Sequence, residues 1–349
     1  MNDKNLRVGL LGCGHISRDH LIAWADCPGA DVVAVCDPVR DRASAQAEAF
    51  DIASVYTDPA AMMAEAGLHA VDIVTPRQTH AGMIRLAAEH GLHALCEKPL
   101  CPTLQEAKEL VDEVGERIRM MVNENWRYRR YFCQIHSWIA EGRLGTITQA
   151  RIALWRSNML PRSDGMVPAL SRQPFVAREE RLLVAESLIH ELDTMRSLFG
   201  EMRVVAARLG RYSDRIIGED AAAILLETDT GHAVVVEGVM TSAGHAFRAP
   251  NRLEIAGTRA SVTLDGGQLR LHGPDEDETI AYDENEVRQG CFNGAIAHFA
   301  ACLRTGEPFL TSARDQLNTL RLLEDVYGAA GPLRRPHGAP ANQGEGVSS

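Results

Sequence analysis

Two glycines, an acid, a lysine and a histidine are spaced along this chain so that together they could grip a dinucleotide and move protons. Gly12-Cys13-Gly14-His15-Ile16-Ser17 follows directly on the apolar run Leu6–Leu11 and leads into a helical pattern. Gly12 permits a tight turn, Gly14 lets the backbone approach a pyrophosphate, and Ser17 is small enough at the third position for close helix–strand packing. A helix opening there aims free N–H groups at phosphate oxygens. Alone, a G-x-G-x-x-S matches many turns; its place between a buried strand and a helix gives it meaning. Asp37 closes the next apolar run, about 20 residues on, where a ribose-binding acid belongs. Its carboxylate accepts from a free 2′-hydroxyl and repels a 2′-phosphate, which favours NAD. The plainer reading is that Asp37-Pro38 caps the next helix, and Arg40 and Arg42 keep NADP open.

The lysine stands out by rarity. Only positions 4, 98 and 108 are lysine, so arginine is the default cation of this chain. Glu97-Lys98-Pro99 lies just past the expected fifth strand, and strand carboxyl ends are where open α/β sheets hold ligands. A lysine can give up its proton when desolvated or beside positive charge, which an arginine cannot. Farther on, Glu186, His190 and Asp193 fall at i, i+4 and i+7 of one helical pattern, so a single face carries all three. Two carboxylates and an imidazole suit gripping and deprotonating a polyol. A solvated helix face with a Glu–His pair is the alternative. Trp155 offers a ring for a sugar to stack on, or fills a core or interface. His15 and His20 read as loop and helix-packing residues.

These side chains need a frame that gathers strand ends. Leu6–Leu11, Val32–Cys36, Ala70–Thr75 and His93–Cys96 are short runs rich in Val, Ile and Leu, as in strands buried on both faces. Ile16–Ala25, Arg40–Phe50, Pro59–Ala66 and His80–His90 between them have helical patterns, which gives right-handed βαβ units and a parallel sheet. Thr103–Arg117 adds a helix with a capping box from Thr103 to Glu106, and Met120–Val122 is the sixth strand. The character changes near Asn123. Tyr131–Glu141 predicts a helix, Ile147–Trp155 a half-exposed strand, Pro161–Pro174 a loop, and Glu186–Phe199 an amphipathic helix stopped by Gly200. From Met202 to Tyr282, strand-length runs recur between turns such as Asp229-Thr230-Gly231 and Asp265-Gly266-Gly267. Helices over Asn293–Arg304 and Ser312–Ala330 close the fold. The expected fold class is α/β. An N-terminal Rossmann dinucleotide-binding domain (1–124) precedes a C-terminal α+β domain with a large, mostly antiparallel open-faced sheet (125–332) and a flexible tail (333–349).

The chain resembles the Gfo/Idh/MocA family, the glucose–fructose oxidoreductase, inositol dehydrogenase and rhizopine catabolism proteins. The matching stretches are Gly12-Cys13-Gly14-His15-Ile16, Asp37-Pro38, Thr75-Pro76 with His80, Glu97-Lys98-Pro99-Leu100, Glu186-Ser187-Leu188-Ile189-His190-Glu191-Leu192-Asp193 and Gly257-Thr258-Arg259-Ala260. The resemblance implies an NAD(P)-binding Rossmann domain, a second α/β domain, and a substrate held between them. It implies cofactor-binding roles for Gly12, Gly14, His15, Ile16, Asp37, Thr75, Pro76, His80, Glu97 and Lys98. Lys98 becomes the acid/base residue beside the reacting hydroxyl or carbonyl, with His190 as its partner and Glu186 in the catalytic set. Glu186 stands where the family usually has Asp, and Leu188 where it has Gly. His80 is then a structural histidine beside the nicotinamide. Arg127, within Asn125-Trp126-Arg127-Tyr128, falls where the family often presents an arginine to the active site; with Trp155 and Asp193 it makes up the substrate-binding set. The resemblance also suggests a homodimer or homotetramer.

The activity these readings converge on is an NAD-dependent oxidoreductase acting on the CH–OH group of a sugar, cyclitol or related polyol. A redox-neutral variant, oxidation followed by elimination or epimerisation with cofactor recycling, uses the same hydride step. A non-catalytic NAD(H)-binding regulator has no need of Lys98 and His190. The composition agrees with a globular enzyme. Of 349 residues 45% are apolar and 24% charged, which excludes disorder as the main state. The net charge of −11 argues against nucleic acid or an anionic membrane as partner, and no apolar run reaches membrane-spanning length. Eight scattered cysteines without C-x-x-C or zinc-like Cys/His spacing imply reduced thiols in the cytoplasm and no metal. Lys4 and Arg7 ahead of Val8–Cys13 imitate a signal peptide, but the short, glycine-broken run reads as the first strand.

Overall fold

The computed structural model describes residues 5–334. They form two compact units. One comprises residues 5–141, Arg196–Leu198 and Ala281–Glu324; the other comprises Gly142–Met195, Phe199–Ile280 and 325–334.

The first unit opens with alternating strands and helices: β1 (Leu6–Leu11), α1 (Ser17–Ala25), β2 (Ala30–Cys36), α2 (Arg40–Phe50), β3 (Ser54–Tyr56), α3 (Pro59–Glu65), β4 (Ala70–Ile73), α4 (His80–Glu89), β5 (His93–Glu97), α5 (Leu104–Val114), β6 (Met120–Asn123) and α6 (Arg130–Ala140). The strands pair in parallel in the order β3-β2-β1-β4-β5-β6. The order reverses between β1 and β4, and that crevice at the strand carboxyl ends is where such sheets take ligands. β4 is buried at every position, which is why its sequence reads as an unbroken apolar run around Asp72. Local chemistry sets the helix starts. Asp58 accepts from Ala60 N ahead of Pro59 at the first position of α3, and Thr103 Oγ1 accepts from Glu106 N at 3.2 Å, as the capping box requires. β3 is three half-buried residues long, too short to show as an apolar run in the sequence.

The second unit contains β7 (Ile147–Trp155), α7 (Pro168–Arg172), a π-helical turn Leu183–Leu188, most of α8 (Ile189–Phe199), and then β8 (Met202–Gly210), β9 (Ala221–Thr228), β10 (Ala233–Val239), β11 (Arg252–Gly257), β12 (Ser261–Asp265), β13 (Gln268–His272) and β14 (Asp277–Ala281). The eight strands lie in the order β14-β13-β12-β11-β7-β10-β9-β8. β7, first in sequence, sits in the middle, parallel to β10 and antiparallel to β11. Burial alternates along β9, β10, β11, β12 and β13, so one face is packed and the other open. Against the packed face lies the π-helical turn. A Cβ on Gly238 of β10 would stand 3.0 Å from both Leu188 methyls, a tight approach that the missing side chain relieves.

Three details correct the sequence reading. The stretch expected as a loop over Pro161–Pro174 contains α7, with Pro168 at its first turn, where a missing N–H costs nothing. The expected helix Glu186–Phe199 is instead the π-helical turn followed by α8. The expected helix Asn293–Arg304 is longer: α9 runs Glu284–Thr305 because Asp283 Oδ1 accepts from Asn285 N and Glu286 N.

α9 and then α10 (Ala313–Ala330) end the described chain. α9 returns to the first unit. Its Phe292, Ile296, Phe299 and Leu303 pack with Leu6, Val8, Trp24, Leu95 and Met121 in one apolar cluster. Phe299 meets Trp24 edge-on at 6.2 Å. The Arg288 guanidinium grips both carboxylate oxygens of Asp19 on α1, at 2.9 and 2.6 Å. No helix among the described residues is long and apolar enough to cross a membrane, and all eight cysteines are free.

Candidate functional site

β1 ends at Gly12, whose φ of +94° lies in the left-handed region and whose absent Cβ would stand 2.6 Å from the Val74 carbonyl oxygen. Both the backbone and the space demand glycine. Around Gly14 nothing lies within 4 Å of where a Cβ would be, and Gly14 and His15 are exposed. Ile16 is half-buried against the core. α1 then begins with no side-chain cap among the described residues, leaving its first N–H groups to an anion. Ser17 is fully buried and donates to Gly14 O at 2.7 Å. Burial above all, with Asp37 adding to it, pushes the Cys13 thiol up to about 12, so the loop brings no thiolate against a pyrophosphate.

Asp37 ties the glycine loop to the start of α2. Oδ1 accepts from Val39 N at the start of α2, and Oδ2 accepts from Cys13 N in the glycine loop, each at 2.9 Å. Each oxygen retains acceptor capacity for a ribose hydroxyl. Arg40 and Arg42 are exposed on α2. An open glycine loop, an uncapped helix start and an acid at the end of β2 fit the adenosine and pyrophosphate of a dinucleotide. Among the described residues, no group of three or more His, Cys, Asp or Glu could hold a metal ion.

The next two strand ends carry Thr75-Pro76 and Glu97-Lys98. His80, 1% exposed, places Nε2 at 2.9 Å from Thr75 O and Nδ1 at 2.9 Å from Pro99 O. It joins the two loops as a structural residue. The Lys98–Pro99 peptide is cis, and Lys98 is half-buried at the carboxyl edge of the sheet. Beneath it lies a polar network that the sequence reading missed. His20 is fully buried, with Nδ1 at 2.8 Å from Asp72 Oδ2 and Nε2 at 3.0 Å from Glu97 Oε1. Asn123 Nδ2 donates to the same Glu97 oxygen at 2.7 Å, Trp24 Nε1 donates to Asp72 Oδ2 at 2.7 Å, and Lys98 N donates to Glu97 Oε2 at 3.2 Å. Burial pulls His20 down, but the Asp72 and Glu97 carboxylates outweigh it and raise it to about 10. Burial likewise pushes Glu97 up, and His20 first, then Lys98 and Asn123, bring it down to about 2. Expected only to pack a helix, His20 is the hub. Asp72 inside an apolar run was its signal, since a buried acid requires a partner.

In the second unit, Glu186 and His190 are half-buried and Asp193 is fully buried. Glu186 belongs to the π-helical turn and His190 to the first turn of α8, so the three are not the equivalent positions of one α-helical face. The turn is built from below by Glu219, 1% exposed. Its Oε1 accepts from Leu182 N at 3.1 Å, Val184 N at 3.0 Å and the Tyr327 hydroxyl at 2.7 Å. Burial and the neighbouring Glu219 hold the Tyr327 phenol above its ordinary range, so it remains a donor. π-helical turns of this kind recur at functional sites. On β7, Ala150, Ile152 and Leu154 are buried. Trp155, next along, turns to the opposite face from the one on which Leu183 and Leu188 pack; there it is 37% exposed and edge-on to His245 at 5.6 Å. Arg127 donates to Leu310 O at 2.8 Å and pairs with Asp315 Oδ2 at 2.7 Å, while Arg196 pairs with Asp315 Oδ1 at 3.0 Å.

Comparison with known proteins identifies the family. Residues 6–124 match the GFO/IDH/MocA oxidoreductase family, NAD-binding Rossmann fold, and residues 132–263 match the GFO/IDH/MocA C-terminal domain. A D-apiose dehydrogenase of Paraburkholderia graminis is 35% identical over 94% of this chain and 88% of its own length. A scyllo-inositol 2-dehydrogenase (NAD(+)) of Bacillus subtilis is 28% identical over 90% of this chain and 92% of its own. Among solved structures, an oxidoreductase from Agrobacterium radiobacter, in complex with NAD+, L-tartaric acid and magnesium, superposes with a TM-score of 0.86. It is 29% identical and covers 94% of this chain and 96% of its own.

Proposed function

The chain belongs to the GFO/IDH/MocA family of NAD-binding oxidoreductases, and from that premise we propose an NAD-dependent dehydrogenase that oxidises a CH–OH group of a small sugar, cyclitol or related polyol. The observation that carries this reading is Lys98, a half-buried amine at the same carboxyl sheet edge as the Gly12 loop and Asp37. Gly12, Gly14, His15, Ile16 and Asp37 hold the adenosine and pyrophosphate, with Thr75, Pro76, His80 and Glu97 shaping the rest of the cleft. Bound NAD supplies the hydride acceptor. Lys98 Nζ takes the hydroxyl proton as the carbonyl forms and returns it in the reverse direction. Glu186 and His190, both half-buried, are an acceptor and an imidazole of the kinds that suit polyol hydroxyls. In this division of labour residues 1–124 bind cofactor and 125–332 bind substrate.

D-apiose heads the substrate panel because a D-apiose dehydrogenase is 35% identical over 94% of this chain; inositols and other aldoses follow. The experiment mixes each with NAD+, and each oxidised counterpart with NADH, and follows nicotinamide absorbance. Turnover of at least one polyol is expected; a chain that binds NADH yet turns over none of the panel in either direction overturns the dehydrogenase reading. The proposed assembly is a homodimer or homotetramer through the open face of the β7–β14 sheet, where Trp155, Val205 and Leu225 are exposed. A cytoplasmic location is supported by the eight free thiols.

A further inference from the structure

We propose that His20 positions Lys98 for proton transfer: Asp72 holds His20, His20 holds Glu97, and Glu97 holds the backbone of Lys98. The inference rests on the acid–base reading of Lys98. His20 cannot reach a substrate, because it is wholly enclosed. Its surroundings are contributed by every element packed on it. β4 presents Asp72, β5 presents Glu97 with Lys98 beyond it, β6 presents the uncharged Asn123 amide at 3.2 Å, α1 adds the Trp24 indole on Asp72, and α9 presents the Phe292 ring at 5.3 Å. Both ring nitrogens therefore face carboxylate oxygens, and an imidazole can donate to two acceptors only as an imidazolium. The cation between two anions balances charge that would otherwise be buried unpaired.

The consequence runs to Lys98 through Glu97. With the imidazolium present, the Glu97 carboxylate is fixed by His20 and Asn123 on Oε1, and its Oε2 receives Lys98 N. Without it, burial favours the protonated acid, which replaces a fixed acceptor by a rotating donor under the residue that must meet the substrate hydroxyl. Misplacement of a reacting group by about 1 Å costs on the order of 100-fold in rate.

The test is His20→Asn in the full-length enzyme, assayed with whichever polyol the panel identifies. Turnover is expected to fall about 10–100-fold while NADH affinity, read by fluorescence titration, stays at the wild-type value. The defect deepens as pH falls, because Glu97 now takes a proton, and adding Glu97→Gln, which cannot titrate, removes that extra pH dependence. Independently of activity, nitrogen NMR of the wild-type protein is expected to show His20 doubly protonated above the ordinary histidine range. A neutral His20 at neutral pH overturns the proposal even where the variant fails to fold. So does His20→Asn with wild-type turnover and pH profile. Lys98→Arg at wild-type turnover removes the acid–base reading itself, whereas His20→Asn at wild-type turnover beside an inactive Lys98→Arg removes only the positioning role.

Discussion

At Lys98 the chemistry calls for a group that can hold a proton in one half of the reaction and lack it in the other. Guanidinium cannot, so Lys98→Arg should be almost as damaging as Lys98→Met; each is expected to lower kcat by about 100- to 10,000-fold with NADH affinity nearly intact. If Lys98 only anchors a ligand by charge, arginine would serve and the loss would appear in KM. Asp37 is argued the same way. With both its oxygens already engaged by backbone N–H groups, Asp37→Ser should weaken NADH by about 10- to 100-fold and narrow the preference over NADPH; comparative titration that finds NADPH the tighter ligand in the wild type would remove the ribose assignment. The His20–Glu97 pair also sets a pH dependence of stability. His20 is raised from 6.5 to about 10, so its contribution is complete below pH 6.5 and is lost as pH climbs toward 10. Glu97 is lowered from 4.5 to about 2, so its contribution is present above pH 4.5 and lost as pH falls toward 2. Thermal melts should show the midpoint declining above pH 6.5 in wild type, and a flatter alkaline limb in His20→Asn.

At the scale of elements, the Rossmann domain was readable because β1, β2, β4, β5 and β6 are apolar runs and the starts of α3 and α5 carry their own side-chain caps. The glycine turn, the Thr103 cap and the β7 span from Ile147 to Trp155 were all visible locally. What was not visible depends on partners distant in sequence. His20 meets Asp72 and Glu97 across 52 and 77 positions, and no periodicity reports such a meeting. The π-helical turn Leu183–Leu188 was absorbed into a longer α-helical pattern, because the Glu219 carboxylate that accepts from Leu182 N, Val184 N and the Tyr327 hydroxyl lies far along the chain. That dependence gives a prediction. Glu219→Ala strands the buried Leu182 and Val184 N–H groups and should cost about 2–4 kcal/mol in urea unfolding, with turnover falling as the segment carrying Glu186 loosens. Tyr327→Phe removes one of three donors and should cost about 1 kcal/mol. Equal stability for wild type and Glu219→Ala would show that the turn holds itself.

For the whole molecule, the first expectation is self-association. The open face of the second sheet mixes the exposed Trp155, Val205 and Leu225 with ion pairs from Arg151 to Glu237 and Glu254, a blend suited to a specific interface rather than to bulk solvent. Sedimentation at micromolar concentration should give a dimer or tetramer; a monomer there ends the proposal. The other consequence concerns time. The six parallel strands are complete by Asn123, yet the apolar cluster over β1 and α1 is closed by Phe292, Ile296 and Phe299, which leave the ribosome far later. At synthesis rates of about 5–20 residues per second, the nascent cofactor-binding half stands for roughly 10–35 seconds with Trp24 and its neighbours uncovered. Until α9 is made, the Rossmann strands thus carry an open apolar surface that residues 284–305 cover.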